Sequence, residues 1–206
     1  MTIDYVDISY YGLLYLKSTG LDNMPKIKRP IVNNWSDSHG IDIDLTTAFK
    51  EARNITSEFI LVGTSISDYQ SKLASLQLAL QAIGLRVIKY DNYLKPRFLF
   101  LSEEIAPELI GKLNNSQVAC KLTLNMTEPN PVGRYFHTND PVVNVSFTIS
   151  CSTPIIIDWG DGISEIKLGT SQSCSHNFTT FHYIALFGNI TDISALTSIV
   201  GLTEIT

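Results

Sequence analysis

The sequence predicts a mainly β protein with one main helix, an α+β class in which strands dominate. Several stretches alternate between apolar and polar residues, one stretch repeats apolar residues at helical spacing, and turn residues separate them. Hydrophobic residues make up 44% of the chain and charged residues 17%, which excludes a disordered chain. The net charge of −5 excludes a nucleic-acid binder that relies on bulk positive charge.

The strongest helix signal covers residues 67–84. Ser67, with Gln70 three residues later, has the spacing of a capping box, and Gly84 ends the pattern. Between them, apolar residues recur at intervals of four and three: Tyr69, Leu73, Leu76, Leu80 and Ile83. This spacing predicts an amphipathic helix with one face buried.

Strands are predicted on both sides of this helix. The β-rich or alternating stretches before residue 128 are residues 54–62, 85–90, 97–101 and 117–126. A second helix or a turn is expected over residues 105–113.

The last third of the chain is predicted to consist of consecutive β-strands. Residues 143–151 alternate between apolar and polar side chains, as in a sheet with one buried and one wet face. Residues 155–159 and 163–168 flank Gly160-Asp161-Gly162, a turn that predicts a hairpin because glycine accepts positive φ. Residues 182–187 form a further strand. From Thr191 onward a short helix and a last strand remain equally open.

The charges divide the chain in two. Residues 1–138 hold 14 bases and 14 acids, whereas residues 139–206 hold one base, Lys167, and six acids. A turn-rich stretch, residues 128–134, precedes this change. We therefore predict one domain over residues 1–133 and a second over residues 139–206.

No motif of catalysis or of cofactor binding is found. The sequence has no G-x-S-x-G, G-x-G-x-x-G or Walker loop, so we expect no enzyme, no catalytic residue and no cofactor. Asp158 and Asp161, with Asp140 or Asp192, offer oxygen ligands for calcium, and this alternative stays open. Their spacing lacks the dense run of a dedicated calcium loop, so a turn stabilised by an aspartate side chain is favoured and no metal site is predicted. No apolar run is long enough to span a membrane, and the N-terminus lacks the order of a secretory signal.

The three cysteines, Cys120, Cys151 and Cys174, are expected to be small buried hydrophobic residues. A bridge between Cys151 and Cys174 stays open. Trp159 is expected in a core rather than on a sugar-stacking surface, and His176 is expected as a packing residue.

One basic cluster stands out: Lys26, Lys28 and Arg29, between Pro25 and Pro30. Two interpretations stay open. The cluster is a solvated loop, or it belongs to an extended arm that contacts an acidic neighbouring subunit.

The stretch from Ile155 to Gly162, read with the Ser-His-Asn-Phe of residues 175–178 and the apolar strand at 183–187, resembles the PKD-like family of immunoglobulin-type β-sandwiches. Phe178 replaces the usual tyrosine, and residues 188–191 depart from the usual ending. The resemblance implies that these residues mark the fold: Asp158, Trp159, Gly160, Asp161, Gly162 and His176.

A second resemblance covers roughly residues 5–126. The Trp-Ser-Asp-Ser-His-Gly-Ile-Asp run that starts at Trp35, the strand that follows Phe49, the helix near Tyr69 and the strand after Gly84 are similar to the N-terminal domain of siphophage distal tail proteins. This implies a tail-tube-like β-sandwich or split barrel, followed by the small Ig/PKD-like β-sandwich.

The resemblance implies a structural role in a phage or prophage tail. Such proteins form rings, usually hexamers, by continuing their sheets between neighbours, and they contact other tail or baseplate proteins. The implied location is the tail of the virion, after synthesis in the bacterial cytoplasm. Residues 54–62 and 117–126 carry few charges, so they are the expected open sheet edges. The alternative is a surface protein whose PKD-like domain binds a glycan or a protein.

Overall fold

The computed structural model of the protein describes residues 1–28, 32–33, 42–43, 49–112 and 117–206. These residues form mostly antiparallel strands, numbered β1 to β16 in chain order, and one α-helix, α1. The mainly β class with one main helix is therefore confirmed.

The first sheet follows the order β2-β1-β7-β8-β10-β6-β3, and a further strand, β9, pairs with β10. Its strands are β1 (Thr2–Ile3), β2 (Val6–Asp7), β3 (Leu13–Thr19), β6 (Arg53–Gly63), β7 (Arg86–Lys89), β8 (Arg97–Leu101), β9 (Glu108–Lys112) and β10 (Val118–Glu128). Two short strands, β4 (Val32–Asn33) and β5 (Asp42–Ile43), pair with each other.

The second sheet follows the order β13-β12-β14-β11-β16, and β15 also pairs with β12. Its strands are β11 (Gly133–Thr138), β12 (Val143–Asp158), β13 (Ser164–Phe178), β14 (Tyr183–Gly188), β15 (Ile193–Val200) and β16 (Leu202–Ile205). The region after Thr191, which the sequence left open, thus holds two strands after a short 3-10 turn at Ile190–Asp192.

Helix α1 spans Ile66–Leu80 and is shorter than predicted. Ser65, not Ser67, is its N-cap, because the Ser65 hydroxyl accepts from the Asp68 N–H while the Asp68 carboxylate accepts from the Thr64 N–H. The helix ends before Ile83, which is 92% exposed. The prediction that Ile83 shares the buried face was therefore wrong.

The helix or turn predicted over residues 105–113 was also wrong. Glu108–Lys112 forms β9, which pairs with β10. Gly111 has φ of +151°, a conformation foreign to a helix. The backbone groups of β10 on this side are satisfied by the ladder with β9, which favours the strand over a weak helical propensity.

The apolar side chains form three clusters. One lies between the first sheet and α1 and includes Phe59 and Leu76. A second lies within the second sheet and includes Trp159. The third, with Phe98, Tyr135 and Phe187, packs strands of the two sheets against each other. The two sheets therefore share a buried contact.

The domain boundary between residues 133 and 139 stays a prediction. In the structure, these residues form β11, which pairs with β14 and β16 of the second sheet.

All three cysteines are buried and free, so Cys151 and Cys174 are not bridged. Within the described ranges, no helix has both the length and the apolar character needed to cross a membrane.

Candidate assembly surfaces

The open sides of the first sheet are not those expected from the sequence. Residues 54–62 and 117–126 lie in β6 and β10, which pair with each other along eleven residues, from Arg53 opposite Glu128 to Gly63 opposite Val118. The expectation that these stretches are open edges was therefore wrong. They carry few charges because every second side chain is buried in the interior of the sheet.

Within the described residues, the sheet is bounded beside β6 by β3 and beside the start of β10 by β9. Every pairing from β3 through β6 and β10 to β9 is antiparallel. Hence β3 and β9 run in opposite directions at opposite margins. A second copy shifted sideways would bring its β9 antiparallel to the β3 of the first copy, so the sheet could continue between copies.

Both margins expose apolar side chains at the same level of the sheet. Leu14 is 58% exposed on β3, and Leu109 and Ile110 are 65% and 56% exposed on β9. Leu14 pairs with Ile60 of β6, and Ile60 pairs with Lys121 of β10. The row that contains these three residues is next to the row of Leu109. These are the side chains that an edge-to-edge contact would cover.

One row of the ladder runs from β3 through β6 to β10. Thr19, the last residue of β3, lies opposite Thr56, which lies opposite Asn125. Beyond Asn125 comes the segment that joins β8 to β9, where the Ser102 N–H donates to the Asn125 carbonyl and the Asn125 amide donates to the Glu103 carboxylate at 2.7 Å. Thr19 and Glu103 therefore mark the same level at opposite margins.

Lys26 and Lys28 of the predicted basic cluster flank a single β-bridge, which is the base of the segment that leads to β4. Ile27 forms a β-bridge with Lys50, and the Lys28 N–H donates to the Phe49 carbonyl at 2.8 Å. Lys26 and Lys28 are exposed, whereas Arg29 lies outside the described residues. A groove of about 370 Å³ beside this base is lined by Lys28, Phe49, Lys50 and residues that follow β10 and β14.

The residues of the predicted fold signature are brought together in the second sheet. The Trp159 indole is 1% exposed and stacks on the His176 ring at 5.0 Å between centroids. His176 Nε2 lies 2.7 Å from Asp161 Oδ2. Gly160 and Gly162 have φ of +78° and +90° at the turn between β12 and β13. Trp159 is thus a core residue, as expected.

Among the described residues, no group of three or more His, Cys, Asp and Glu side chains could hold a metal ion.

Asp158 has a pH-dependent role in this turn. It is 6% exposed, and burial raises the pKa of its carboxyl to about 6, although the Gly160 N–H donates to it at 2.9 Å. Because the folded protein binds this proton more tightly than the unfolded chain, the contribution to stability falls as pH rises from about 4 to about 6.

We therefore expect Asp158→Asn to be more stable than the wild type at pH 7 by on the order of 1–2 kcal/mol. The asparagine oxygen can still accept from the Gly160 N–H, and no buried charge remains. Urea unfolding at intervals between pH 4 and pH 7 measures the difference, which should shrink toward pH 4. Parallel profiles for the two proteins would contradict the assignment.

The sequence analysis missed two structural features, and the first of them joins the two sheets. The Tyr5 hydroxyl reaches the second sheet, where it accepts from the Tyr183 N–H at 2.7 Å. Burial raises the pKa of this hydroxyl. Tyr5 has φ of +69° in the turn between β1 and β2, and no sequence signal marks it as a contact over a separation of 178 residues.

The second missed feature is a buried ionic cluster of Arg53, Glu128 and Arg97. Arg53 Nε donates to Glu128 at 2.7 Å, Arg53 Nη2 contacts the same oxygen, and Arg97 Nη1 lies 3.6 Å from the other one. The Glu128 side chain is 1% exposed. The sequence analysis placed Glu128 in a turn-rich stretch rather than at the end of β10, and it gave no sign of the partners of Glu128.

Comparison with solved structures gives a likeness to a phage protein. The fold is similar to that of the SPP1 Dit protein (gp 19.1), whose crystal structure is described as a paradigm of the hub adsorption apparatus in phages that infect Gram-positive bacteria. The sequence identity is 12%, the match covers 90% of this chain and 97% of that chain, and the TM-score is 0.50. No protein-family model matches the sequence, and no curated protein does. The predicted distal-tail-like fold is thus supported at the level of the fold, and the PKD-like assignment stays a prediction.

Proposed function

We propose that this chain is a structural protein of a phage or prophage tail, similar in role to a distal tail protein. It assembles with copies of itself into a ring, usually a hexamer in the proteins it resembles. Other tail or baseplate proteins are its further partners, and the virion tail is its location. The second sheet belongs to a PKD-like sandwich domain, which serves for interaction with a partner.

The observation that carries this proposal is the pair of margins, β3 and β9. They lie at opposite sides of one sheet and run in opposite directions, so a head-to-tail contact continues the antiparallel ladder. Such a contact uses two different surfaces, and repetition closes a ring when the rotation per copy permits it. The likeness to a hub protein of a phage supports the same role.

The alternative, a surface protein that binds a glycan through its sandwich, finds less support. Its natural stacking residue is Trp159, but the indole is 1% exposed and lies between His176 and Phe147. A sugar could reach this ring only if the core opened. The margins of the first sheet, by contrast, are accessible as they stand.

We expect Leu109→Lys combined with Ile110→Lys to weaken self-association by about tenfold or more, because two charges would enter a contact between strand edges. Both residues are exposed in the single chain, so the fold should survive. Analytical ultracentrifugation over a wide concentration range measures association, and negative-stain microscopy shows whether rings form.

A matched control is Leu78→Lys. Leu78 is 76% exposed on α1 and belongs to neither β3 nor β9, so its variant should associate as the wild type does. Two outcomes would contradict the proposal: a wild-type chain that stays monomeric at all concentrations, or a β9 variant that associates as strongly as Leu78→Lys.

A further inference from the structure

The second sheet has a free margin at β13. Among the described residues, β13 pairs only with β12. Its first part, residues 164–168, precedes a bend at which Gly169 and Ser171 have φ of +109° and +51°. Ile166 and Leu168 in this part are 68% and 55% exposed. Residues 164–168 therefore form a short open edge that carries apolar side chains.

The backbone of residues 164–168 alternates between the two sides of β13. The Trp159 N–H donates to the Ile163 carbonyl at 3.0 Å, so this pair closes the ladder between β12 and β13. Every second pair of an antiparallel ladder is hydrogen-bonded, so Glu165 and Lys167 direct their N–H and C=O groups toward β12. The backbone groups of the alternate residues therefore point to the free margin: Ser164, Ile166 and Leu168.

The two charges of this edge have opposite signs. Glu165 and Lys167 lie on one face of β13, with Lys167 Nζ 2.8 Å from Glu165 Oε2, and their side chains are 31% and 21% exposed. Of the other acids described at this hairpin, Asp158 is buried, and Asp161 lies 2.7 Å from His176 Nε2. Charged side chains on an edge strand usually keep other strands away. Here an acid and a base are two residues apart, so an antiparallel copy of the edge can place each charge opposite its counterpart.

We propose that residues 164–168 pair antiparallel with the same residues of a second copy, with Ile166 opposite Ile166. In this register, Glu165 of each copy lies opposite Lys167 of the other, and the outward backbone groups of the two edges face each other. A contact centred on Glu165 or on Lys167 would instead place like charges opposite each other. The exposed Ile166 and Leu168 side chains of both copies lie together on the other face of the continued sheet.

This contact is separate from the proposed ring. A two-fold contact uses the same surface on both copies and closes after two of them, whereas the ring uses two different surfaces, β3 and β9. The β13 contact therefore adds no copy to a ring and joins a copy in the ring to one outside it. Either contact can form without the other.

Charge exchange at the two positions tests the pairing. Glu165→Lys would place lysine opposite lysine, and Lys167→Glu would place glutamate opposite glutamate, so each should weaken the two-fold contact about tenfold or more. Mixed in equal amounts, these two variants should pair with each other, because every contact again joins opposite charges. The double variant, Glu165→Lys with Lys167→Glu, should pair alone. Asp140→Lys makes the same change of charge at an exposed position between β11 and β12, and it should pair as strongly as its parent chain.

The exchanges are made in the chain that carries Leu109→Lys with Ile110→Lys, so that the two-fold contact is measured without the ring contact. Sedimentation velocity measures the dimer, and circular dichroism verifies the fold. We expect a dimer that each single exchange weakens and that the mixture restores. A chain that is monomeric at all concentrations, or a dimer that both single exchanges leave unchanged, would overturn the β13 pairing. The ring is judged from the wild-type chain, where the absence of any assembly larger than a dimer would refute the proposed function even if β13 pairs.

Discussion

Glu128→Gln is expected to lower the free energy of unfolding by about 3–5 kcal/mol, the usual effect of removing one partner from a buried ion pair. Gln keeps the shape of the side chain but removes the negative charge. Arg53 and Arg97, whose side chains are 8% and 15% exposed, would then hold two positive charges with no carboxylate between them. Chemical denaturation at pH 7 measures the loss.

The size of this effect comes from burial rather than from the pairing itself. Arg53 also donates to the carbonyl oxygens of Leu21 and Asn23, at 3.0 and 3.2 Å. The cluster thereby connects the segment after β3 to the start of β6 and to the end of β10. Loss of Glu128 should therefore loosen the segment after β3 as well as the fold.

The matched control is Glu204→Gln. Glu204 forms two hydrogen bonds with Arg134, at 2.8 and 2.7 Å, but the two side chains are 36% and 32% exposed. An exposed ion pair contributes about 0–1 kcal/mol, and added salt screens it. An equal loss for Glu128→Gln and Glu204→Gln would show that water reaches the buried cluster and would refute its proposed role.

The sequence predicted elements well where a local pattern determines them. The alternation of β10 and of the first part of β12, the Asp-Gly turn after Trp159 and the helical spacing around Leu76 each depend on neighbouring residues in the chain. The structure places strands, a hairpin and a helix at these positions. The helix start was misplaced by two residues because two serines, Ser65 and Ser67, both precede good capping partners.

Pairing between strands was predicted poorly, for a physical reason. Alternation tells which face of a strand is buried, but it carries no information on which strand lies alongside. Residues 54–62 and 117–126 therefore read as possible edges, although β6 and β10 pair with each other. The true margins, β3 and β9, gave weaker signals because an edge strand with exposed apolar side chains does not alternate cleanly.

The candidate site was predicted only in part. Lys26 and Lys28 were recognised as a basic cluster, but the margins β3 and β9 were not recognised, because their exposure depends on pairing between strands that are distant in the chain. The same holds for Tyr5 and Tyr183. Contacts between distant residues of ordinary type leave no mark in a single sequence.

Gly160→Ala is the second large effect and is expected to lower the free energy of unfolding by about 2–4 kcal/mol, from backbone strain and displacement together. Gly160 has φ of +78°, and a methyl group there would lie 2.0 Å from the Tyr183 carbonyl oxygen and 2.8 Å from the Tyr5 hydroxyl. The Tyr183 backbone in β14 and the Tyr5 side chain are hydrogen-bonded to each other, so a shift of either one displaces the other. The substitution therefore separates the two sheets as well as straining the hairpin.

Gly169→Ala tests backbone strain without displacement of neighbouring atoms. Gly169 has φ of +109°, but the nearest atom to an added methyl is the flexible end of Gln172, at 3.4 Å. This variant should therefore show only the conformational part of the loss, about 1–2 kcal/mol. Thermal unfolding of both variants, with hydrogen exchange at the Tyr183 amide, separates strain from displacement. A Gly160→Ala variant as stable as Gly169→Ala, with the Tyr183 amide still protected, would mean that the turn at Gly160 does not hold the sheets together.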